Sequence, residues 1–280
     1  MASKIPVDPA EIIAWYAEMG VDVALGDTPV DRLSAPAKIS TAVAAIRSPT
    51  IELPQHRNGT PLPASPMRVV TPQPQAPATA AATERAAIDA ARAAVTLDEL
   101  REALLRFDGC ALSKTATQLV FADGNPDARV MFVGEAPGRD EDIQGLPFVG
   151  RSGQLLNRML AAIGLDRTSV YIANVVPWRP PGNRTPTPQE SAVCRPFIMR
   201  QIELCDPDFL VCMGAPAAAE LMGNTQGILK FRGQWRDFDT GSRTIRAIAT
   251  LHPAYLLRQP LQKRLAWRDF LHLRDALAVN

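Results

Sequence analysis

Apolar and polar positions change their period several times along the second part of the chain. Short apolar runs of the kind found in buried strands occur at 128–133, 169–176, 209–213 and 245–251. Between and after them, apolar residues recur three and four positions apart, which predicts helices at 154–163, 189–204, 215–222 and 261–277. Strands that alternate with helices in this order build a mostly parallel sheet covered on both faces. We therefore predict an α/β domain over residues 96–280, a three-layer sandwich with a central sheet.

The first third of the chain has a different pattern. Residues 9–20 repeat apolar positions at helical spacing and end at Gly20, so residues 1–33 are predicted to form a short helical segment. Residues 34–80 contain nine prolines among many Ala, Ser and Thr, without a period that could bury a core. We predict a Pro/Ala-rich linker over 34–95, in which an Ala-rich helix resumes at 81–94. Together these segments form an N-terminal extension of the α/β domain.

Composition and charge narrow the class of protein. The 280 residues are 46% hydrophobic and 21% charged, and no run approaches the roughly 20 apolar residues of a membrane span. Because no apolar signal segment opens the chain, we expect a cytoplasmic protein, monomeric and without membrane contact. Residues 101–280 hold 22 Lys and Arg against 18 Asp and Glu, and 19 of the 22 are Arg. Arginine suits bidentate phosphate contacts, so this excess permits nucleic-acid binding without establishing it.

Polar residues follow three of the predicted strands. Glu135 lies in a Gly-Pro loop after the first strand, Asn174 lies near the end of the second, and His252 follows the last. In parallel sheets ligands bind beyond the carboxyl ends of the strands, so these side chains are predicted to meet in one crevice. A carboxylate, a carboxamide and an imidazole there suit polar recognition and acid–base or electrostatic catalysis.

Five motifs occupy the loops of this domain. They are GEAPGRDED at 134–142, GLPFVGRSG at 145–153, YIANVV at 171–176, RPPGNRTPTP at 179–188 and HPAYLLR at 252–258. In this order, over roughly residues 105–278, the chain resembles the family 4 uracil-DNA glycosylases. The resemblance implies a uracil-DNA glycosylase-like fold. It also implies an enzyme of base excision repair that flips uracil out of DNA and hydrolyses its N-glycosidic bond, leaving an abasic site.

The resemblance implies how the base is recognised. The flipped uracil would enter a pocket in which Phe148 stacks on its face and Asn174 hydrogen-bonds its edge, with Ala136 as a further contact. Cytosine presents different donors and acceptors on that edge, so Asn174 would decide base choice. Taken alone, Phe148 is better explained as a core residue than as a stacking surface.

The resemblance also implies how the bond is broken. Positive charge develops on the sugar and negative charge on the departing uracil. Glu135 would orient water or stabilise the cationic sugar, and Glu141 matches a second acid that is important in the family. His252 would donate a hydrogen bond to the uracil oxygen that becomes anionic. The motif loops contain no lysine, so we expect a monofunctional enzyme that releases free uracil without a Schiff base. Without the family, Glu141 is explained as part of a solvated acidic turn.

Three loops are predicted to hold the DNA. One opens a helix, whose free backbone N–H groups favour phosphate; one is stiffened by prolines; and one follows the His motif. The predicted contacts are Arg151, Ser152, Arg184, Thr185, Leu256, Leu257 and Arg258. One side chain of the last loop would wedge into the base stack in place of the flipped nucleotide. The alternative is that the two leucines are core residues of a helix.

The cysteines depart from the family pattern. Family 4 enzymes hold an iron–sulfur cluster with four thiolates. Cys110 and Cys194 match two of those positions, whereas Ser113 and Trp178 stand at the other two. The two remaining cysteines form no Cys-x-x-Cys pair that would favour zinc. We therefore predict no cluster and no other cofactor, with Trp178 filling part of the space.

Two other functions stay open at this point. The chain could be a slow or non-turnover protein that binds uracil-containing DNA or abasic sites as a sensor. A changed base choice, such as hypoxanthine, is disfavoured by Asn174.

Overall fold

A six-stranded sheet forms the centre of the computed structural model, which describes residues 80–279. The strands are β1 (Asp123–Gly124), β2 (Val130–Gly134), β3 (Tyr171–Asn174), β4 (Phe209–Met213), β5 (Trp235–Asp239) and β6 (Thr244–Thr250). Their order is β1-β3-β2-β4-β6-β5. The four inner strands are parallel, and the edge strands β1 and β5 pair antiparallel with their neighbours. The predicted mostly parallel α/β sheet is confirmed.

Helices cover both faces of the sheet. They are α1 (Ala80–Ala93), α2 (Leu97–Arg106), α3 (Arg139–Gln144), α4 (Arg151–Ala161), α5 (Pro188–Cys205), α6 (Ala215–Met222), α7 (Ile228–Phe231), α8 (Pro253–Arg258) and α9 (Lys263–Val279). Successive side chains of a strand point to opposite faces. Accordingly, Met131 and Val133 pack in the core with α1, α2, α5 and α6, whereas Val130 and Phe132 pack with α4 and α9. This arrangement gives the three layers predicted from the sequence.

The folded body begins earlier than the predicted domain boundary. Helix α1 buries Ala87 and Ala91 in the same core as α5, and the Arg200 side chain donates a hydrogen bond to the Ala94 carbonyl at 3.0 Å. Residues 80–95, which the sequence assigned to the linker, therefore belong to the folded body. The predicted helix at 9–20 and the linker over 34–79 lie outside the described residues.

The strand order brings the predicted polar residues to one edge of the sheet. In the β2–β3 register Gly134 is directly opposite Asn174, so the loop after β2 starts beside that side chain. Strand β6 lies two strands away across β4, and the Gly214 N–H after β4 donates to the Thr250 carbonyl at 2.8 Å. The carboxyl ends of all four parallel strands thus border one crevice. None of the helices between residues 80 and 279 has the length and hydropathy of a membrane span.

Candidate active site

A cavity of about 620 Å³ opens at the carboxyl edge of the parallel strands. Its lining includes the five residues predicted around the base, together with loop residues from the Pro-rich motif and the β4–α6 turn. The five are Glu135, Ala136, Phe148, Asn174 and His252. Segments more than 100 positions apart in sequence therefore meet in one site, as the strand-end rule predicts.

One carboxamide oxygen and one carboxylate oxygen in this cavity are buried and have no hydrogen-bond partner among the described residues. Asn174 is 5% exposed, and neither its Oδ1 nor the Oε1 of Glu135 accepts a hydrogen bond from residues 80–279. Buried polar atoms are almost always paired, so both oxygens are candidates for a donor supplied by a ligand. Gly134 keeps the space beside them open, because a Cβ there would lie 2.5 Å from Asn174 Oδ1 and 2.6 Å from Phe148 Cζ.

The Phe148 ring forms one wall of the cavity. Its centroid lies 5.4 Å from that of the His252 ring, and the residue has a left-handed backbone with φ of 54°. The Arg167 guanidinium donates to the Phe148 carbonyl at 3.0 Å and to the Pro147 carbonyl at 2.7 Å. On the other side Gly153 approaches so closely that a Cβ would lie 1.7 Å from the Phe148 carbonyl oxygen. The backbone of Phe148 is thus held on both sides. The residue is 5% exposed and packs in the core that contains Phe132, and it also lines the cavity.

His252 presents one ring nitrogen as a donor. It caps α8, and its Nδ1 accepts the Ala254 N–H at 3.1 Å. This bond assigns the proton of the neutral ring to Nε2. Burial lowers the pKa of His252 to about 4, and the positive charge of Arg258 adds to that effect. Near neutral pH the residue is therefore an uncharged imidazole whose Nε2–H can donate to an oxygen that gains negative charge.

Glu135 is held by the Pro-rich loop. Burial raises the pKa of its carboxyl group, and a hydrogen bond with the Thr185 side chain opposes that shift. The loop is itself fixed by Glu190, whose carboxylate accepts from the Arg184 guanidinium at 2.7 and 2.8 Å and from the Thr187 N–H at 2.7 Å. Arg184 and Thr185 were predicted to contact DNA. The contacts that they make in the protein position Glu135.

Glu141 joins two loops of the site through backbone hydrogen bonds. It is 7% exposed, and its carboxylate accepts from the backbone N–H groups of Gly138 at 3.1 Å, Val149 at 3.0 Å and Gly150 at 3.0 Å. Both oxygens are therefore engaged in joining the start of α3 to the loop that carries Phe148. The solvated turn does not describe this buried residue. Glu141 also lines the cavity, so its catalytic role stays a prediction beside the positioning contacts that it makes.

We expect Glu141→Gln to cost stability rather than chemistry. The amide NH2 would face backbone donors that the second carboxylate oxygen satisfies, at a cost of about 1–3 kcal/mol. Urea unfolding should show that loss, whereas kcat of folded protein should stay within a few-fold of wild type. A kcat as low as that of a Glu135 variant, at unchanged unfolding free energy, would instead support the catalytic role.

The predicted DNA loops divide into buried and exposed side chains. Leu256 is 1% exposed and packs in a core with Leu251 and Ala266, so the prediction that it contacts DNA is corrected. Leu257 is 37% exposed, and Arg258 is exposed beside the cavity. The packing of α8 places Leu256 in the core and leaves Leu257 at the surface, a distinction that the sequence alone does not make. Arg151 and Ser152 lie at the start of α4, with Arg151 at the surface and Ser152 on the cavity wall.

Two supporting residues were missed by the sequence reasoning. Asp142 is 3% exposed and accepts the N–H and the hydroxyl of Thr117, both at 2.8 Å, which ties α3 to a distant segment. No local pattern distinguishes it from its exposed neighbour Asp140. Gly214 has φ of 94°, and a Cβ there would lie 3.0 Å from the Cβ of His252. Its place directly after a strand, like that of Gly134, is a signal that could have found it.

The cysteine region does not supply four thiolates. The Sγ atoms of Cys110 and Cys194 lie 3.9 Å apart, and both residues are buried. Ser113 donates its hydroxyl to the Cys110 carbonyl at 2.8 Å, and Trp178 is 3% exposed in the same core. Within residues 80–279 no group of three or more His, Cys, Asp or Glu side chains could hold a metal ion. The residues present do not fit a four-cysteine cluster.

Comparison with known proteins is consistent with this geometry. The model of the uracil DNA glycosylase superfamily matches residues 121–271. A type-4 uracil-DNA glycosylase of Thermotoga maritima is 44% identical over 163 residues, 58% of this chain and 83% of the relative. One of Archaeoglobus fulgidus is 40% identical over 179 residues, 62% of this chain and 90% of the relative. One of Saccharolobus solfataricus is 36% identical over 187 residues, 65% and 87% of the two chains.

Proposed function

The chain belongs to the type-4 group of the uracil DNA glycosylase superfamily, and from that premise we propose that it excises uracil from DNA by hydrolysis of the N-glycosidic bond. The observation that carries the proposal is the pair of unpaired buried oxygens, Asn174 Oδ1 and Glu135 Oε1, in one cavity with the Nε2–H of His252. These groups suit a ligand that presents hydrogen-bond donors and acceptors along one edge and carries the bond to be cleaved on its opposite side.

The base would be recognised at the inner end of the cavity. Uracil carries an N–H at N3 flanked by two carbonyl oxygens, so its N3–H can satisfy Asn174 Oδ1 while the amide NH2 donates to the neighbouring carbonyl. Cytosine has an acceptor at N3 and a donor at the neighbouring position, which leaves the same groups mismatched. The Phe148 ring would stack on the face of the flipped base.

Bond cleavage would use opposite charges on opposite sides of the base. As the N1–C1′ bond lengthens, the electron pair moves onto uracil and is stabilised by the neutral Nε2–H of His252. The Glu135 carboxylate faces the sugar that becomes cationic and orients the water that attacks C1′. The water hydroxyl joins C1′, and its proton ends on the departing base. We propose that this chemistry requires no metal or redox cofactor.

A turnover experiment tests the proposal against the trapping alternative. A single-stranded oligonucleotide with one uracil is incubated with the full-length protein, and the protein concentration is one hundredth of the oligonucleotide concentration. We expect nearly complete conversion to abasic product and release of free uracil. Product equal to one equivalent of protein would instead identify a binding protein that does not turn over. The same strand with cytosine or hypoxanthine at that position measures lesion choice, and we expect little cleavage of either.

The two site pKa shifts set a pH dependence. Glu135 acts as a carboxylate, so the rate should fall as pH drops through its raised pKa, earlier than an ordinary carboxyl group would cause. His252, with a pKa of about 4, stays neutral over that range and should add no limb between pH 5 and 8. Measuring kcat/KM as a function of pH checks this pH dependence. Glu135→Gln should remove the acid limb, and Glu102→Gln on exposed α2 should retain it. An inflection near pH 6.5 that disappears with His252→Ala would contradict the assignment.

The donor set at the cysteines predicts an iron-free protein. We propose that apolar packing around Trp178 takes the place of a cluster, since only two thiols of the pattern are present. Protein purified without oxygen should be colourless, with well under 0.1 iron per chain by elemental analysis, and fully active. A brown protein with about four irons per chain would overturn this, and Cys110→Ala should then remove the colour.

A further inference from the structure

A second, smaller concavity lies beside the catalytic cavity. It has a volume of about 350 Å³ between α4, α8 and α9. Helix α8 contributes to both concavities, because Tyr255 and Arg258 line the catalytic cavity while Leu256 lines this groove. The floor is apolar and includes Leu155, Met159, Ala266 and Phe270. Helix α8 is therefore the element that the two concavities share.

The rim of the groove carries one sign of charge and one exposed aromatic ring. Arg158, Lys263 and Arg264 line it, no acidic residue does, and none of the three forms an ion pair within residues 80–279. By contrast, Arg167 and Arg232 are paired with aspartates. Trp267 stands among these cations and is 42% exposed. Cations beside an exposed aromatic surface are the features that bind unpaired nucleotides.

We propose that this groove is a subsite for an unpaired nucleotide of the substrate strand next to the flipped uracil. The base stacks on Trp267 over the apolar floor, and the adjacent phosphates contact Arg158, Lys263 and Arg264. The inference rests on the proposed function, because the same strand must occupy the catalytic cavity. Both a nucleic-acid strand and an acidic peptide complement these charges, but the exposed Trp267 ring and the position of the groove next to α8 favour the strand. A paired duplex would not offer the free face of a base.

Strand length provides the test. KM and kcat are measured for uracil excision from a single-stranded trinucleotide and from a 15-mer, each with one central uracil. Wild type should have the lower KM on the 15-mer. Trp267→Ala should raise KM on the 15-mer roughly fivefold or more, while kcat and the KM on the trinucleotide stay unchanged. Trp267→Phe should keep most of the lower KM that wild type has on the 15-mer.

The salt dependence of binding tests the three cations. Each of Arg158→Gln, Lys263→Gln and Arg264→Gln should lower the slope of log affinity against log salt concentration by about 0.7.

The control and the contradicting outcomes are separate from those of the proposed function. Arg274→Gln, on the same helix but paired with Asp275, should change neither KM nor the salt slope. If wild type cleaves both strands and every groove variant keeps the full length advantage, the subsite is refuted and the catalytic proposal stands. If wild type cleaves neither strand, the proposed function itself fails.

Discussion

Replacing His252 by alanine is expected to lower kcat for uracil excision by about 10²–10³-fold, the effect of removing one donor aimed at a developing negative charge. The ring is fixed by the bond from the Ala254 N–H to its Nδ1, and burial keeps it neutral with a pKa of about 4. Its Nε2–H therefore needs no reorganisation when charge appears on the base. Because the interaction strengthens only in the transition state, KM should change little.

Single-turnover rates with excess protein measure this effect without product release. His252→Gln is the matched variant, since its amide can donate without a charge, and we expect it to recover part of the loss. His272→Ala is the control, because this histidine lies on α9, is exposed and is outside the cavity. Unchanged kcat in His252→Ala would remove the imidazole from the mechanism.

Replacing Asn174 by alanine is expected to lower uracil excision by at least 10²-fold and to narrow the preference for uracil over cytosine. The side chain is 5% exposed and its Oδ1 is unpaired, so a base with the wrong edge leaves a buried polar group without a partner. Sites built to hydrogen-bond a donor reject analogues that lack it by about 10⁴–10⁵. The variant loses the atoms that make this distinction.

The preference is measured as the ratio of the rates at which uracil and cytosine are excised from the same single-stranded sequence. Asn224→Ala is the control, because this asparagine is also buried but accepts the Gln226 N–H within its own loop. It should lose stability without changing the ratio of the two rates. A uracil-to-cytosine ratio in Asn174→Ala equal to that of wild type would place base choice elsewhere.

The apolar periodicity and the alternation of strands with helices along the chain were sufficient to predict the layers. With the rule for strand ends, they also predicted that Glu135, Asn174 and His252 meet. These features depend on local apolar patterns and on the rule for parallel strand ends. Strand β5 was missed because its burial is sparse, with Phe238 as its buried residue and exposed charges around it. An edge strand of this kind has no apolar run to mark it.

The roles of individual polar residues depended on contacts that no local pattern records. Glu141 and Asp142 directly follow the exposed Asp140 in the sequence, yet both are buried and accept from backbone N–H groups elsewhere in the chain. Leu256 and Leu257 are neighbours of the same type, and only the packing of α8 on Ala266 separates core from surface. Helix α1 was assigned to a linker because alanines give little hydropathy signal, although their small size allows close packing on α5.

The most direct measurement of the central claim is a crystal structure of Glu135→Gln with an uncleaved single-stranded oligonucleotide that contains one uracil. The uracil should lie in the 620 Å³ cavity, with N3–H on Asn174 Oδ1, a carbonyl oxygen on His252 Nε2 and its face against Phe148. A uracil bound outside this cavity, with Asn174 Oδ1 still unpaired, would contradict the proposed site.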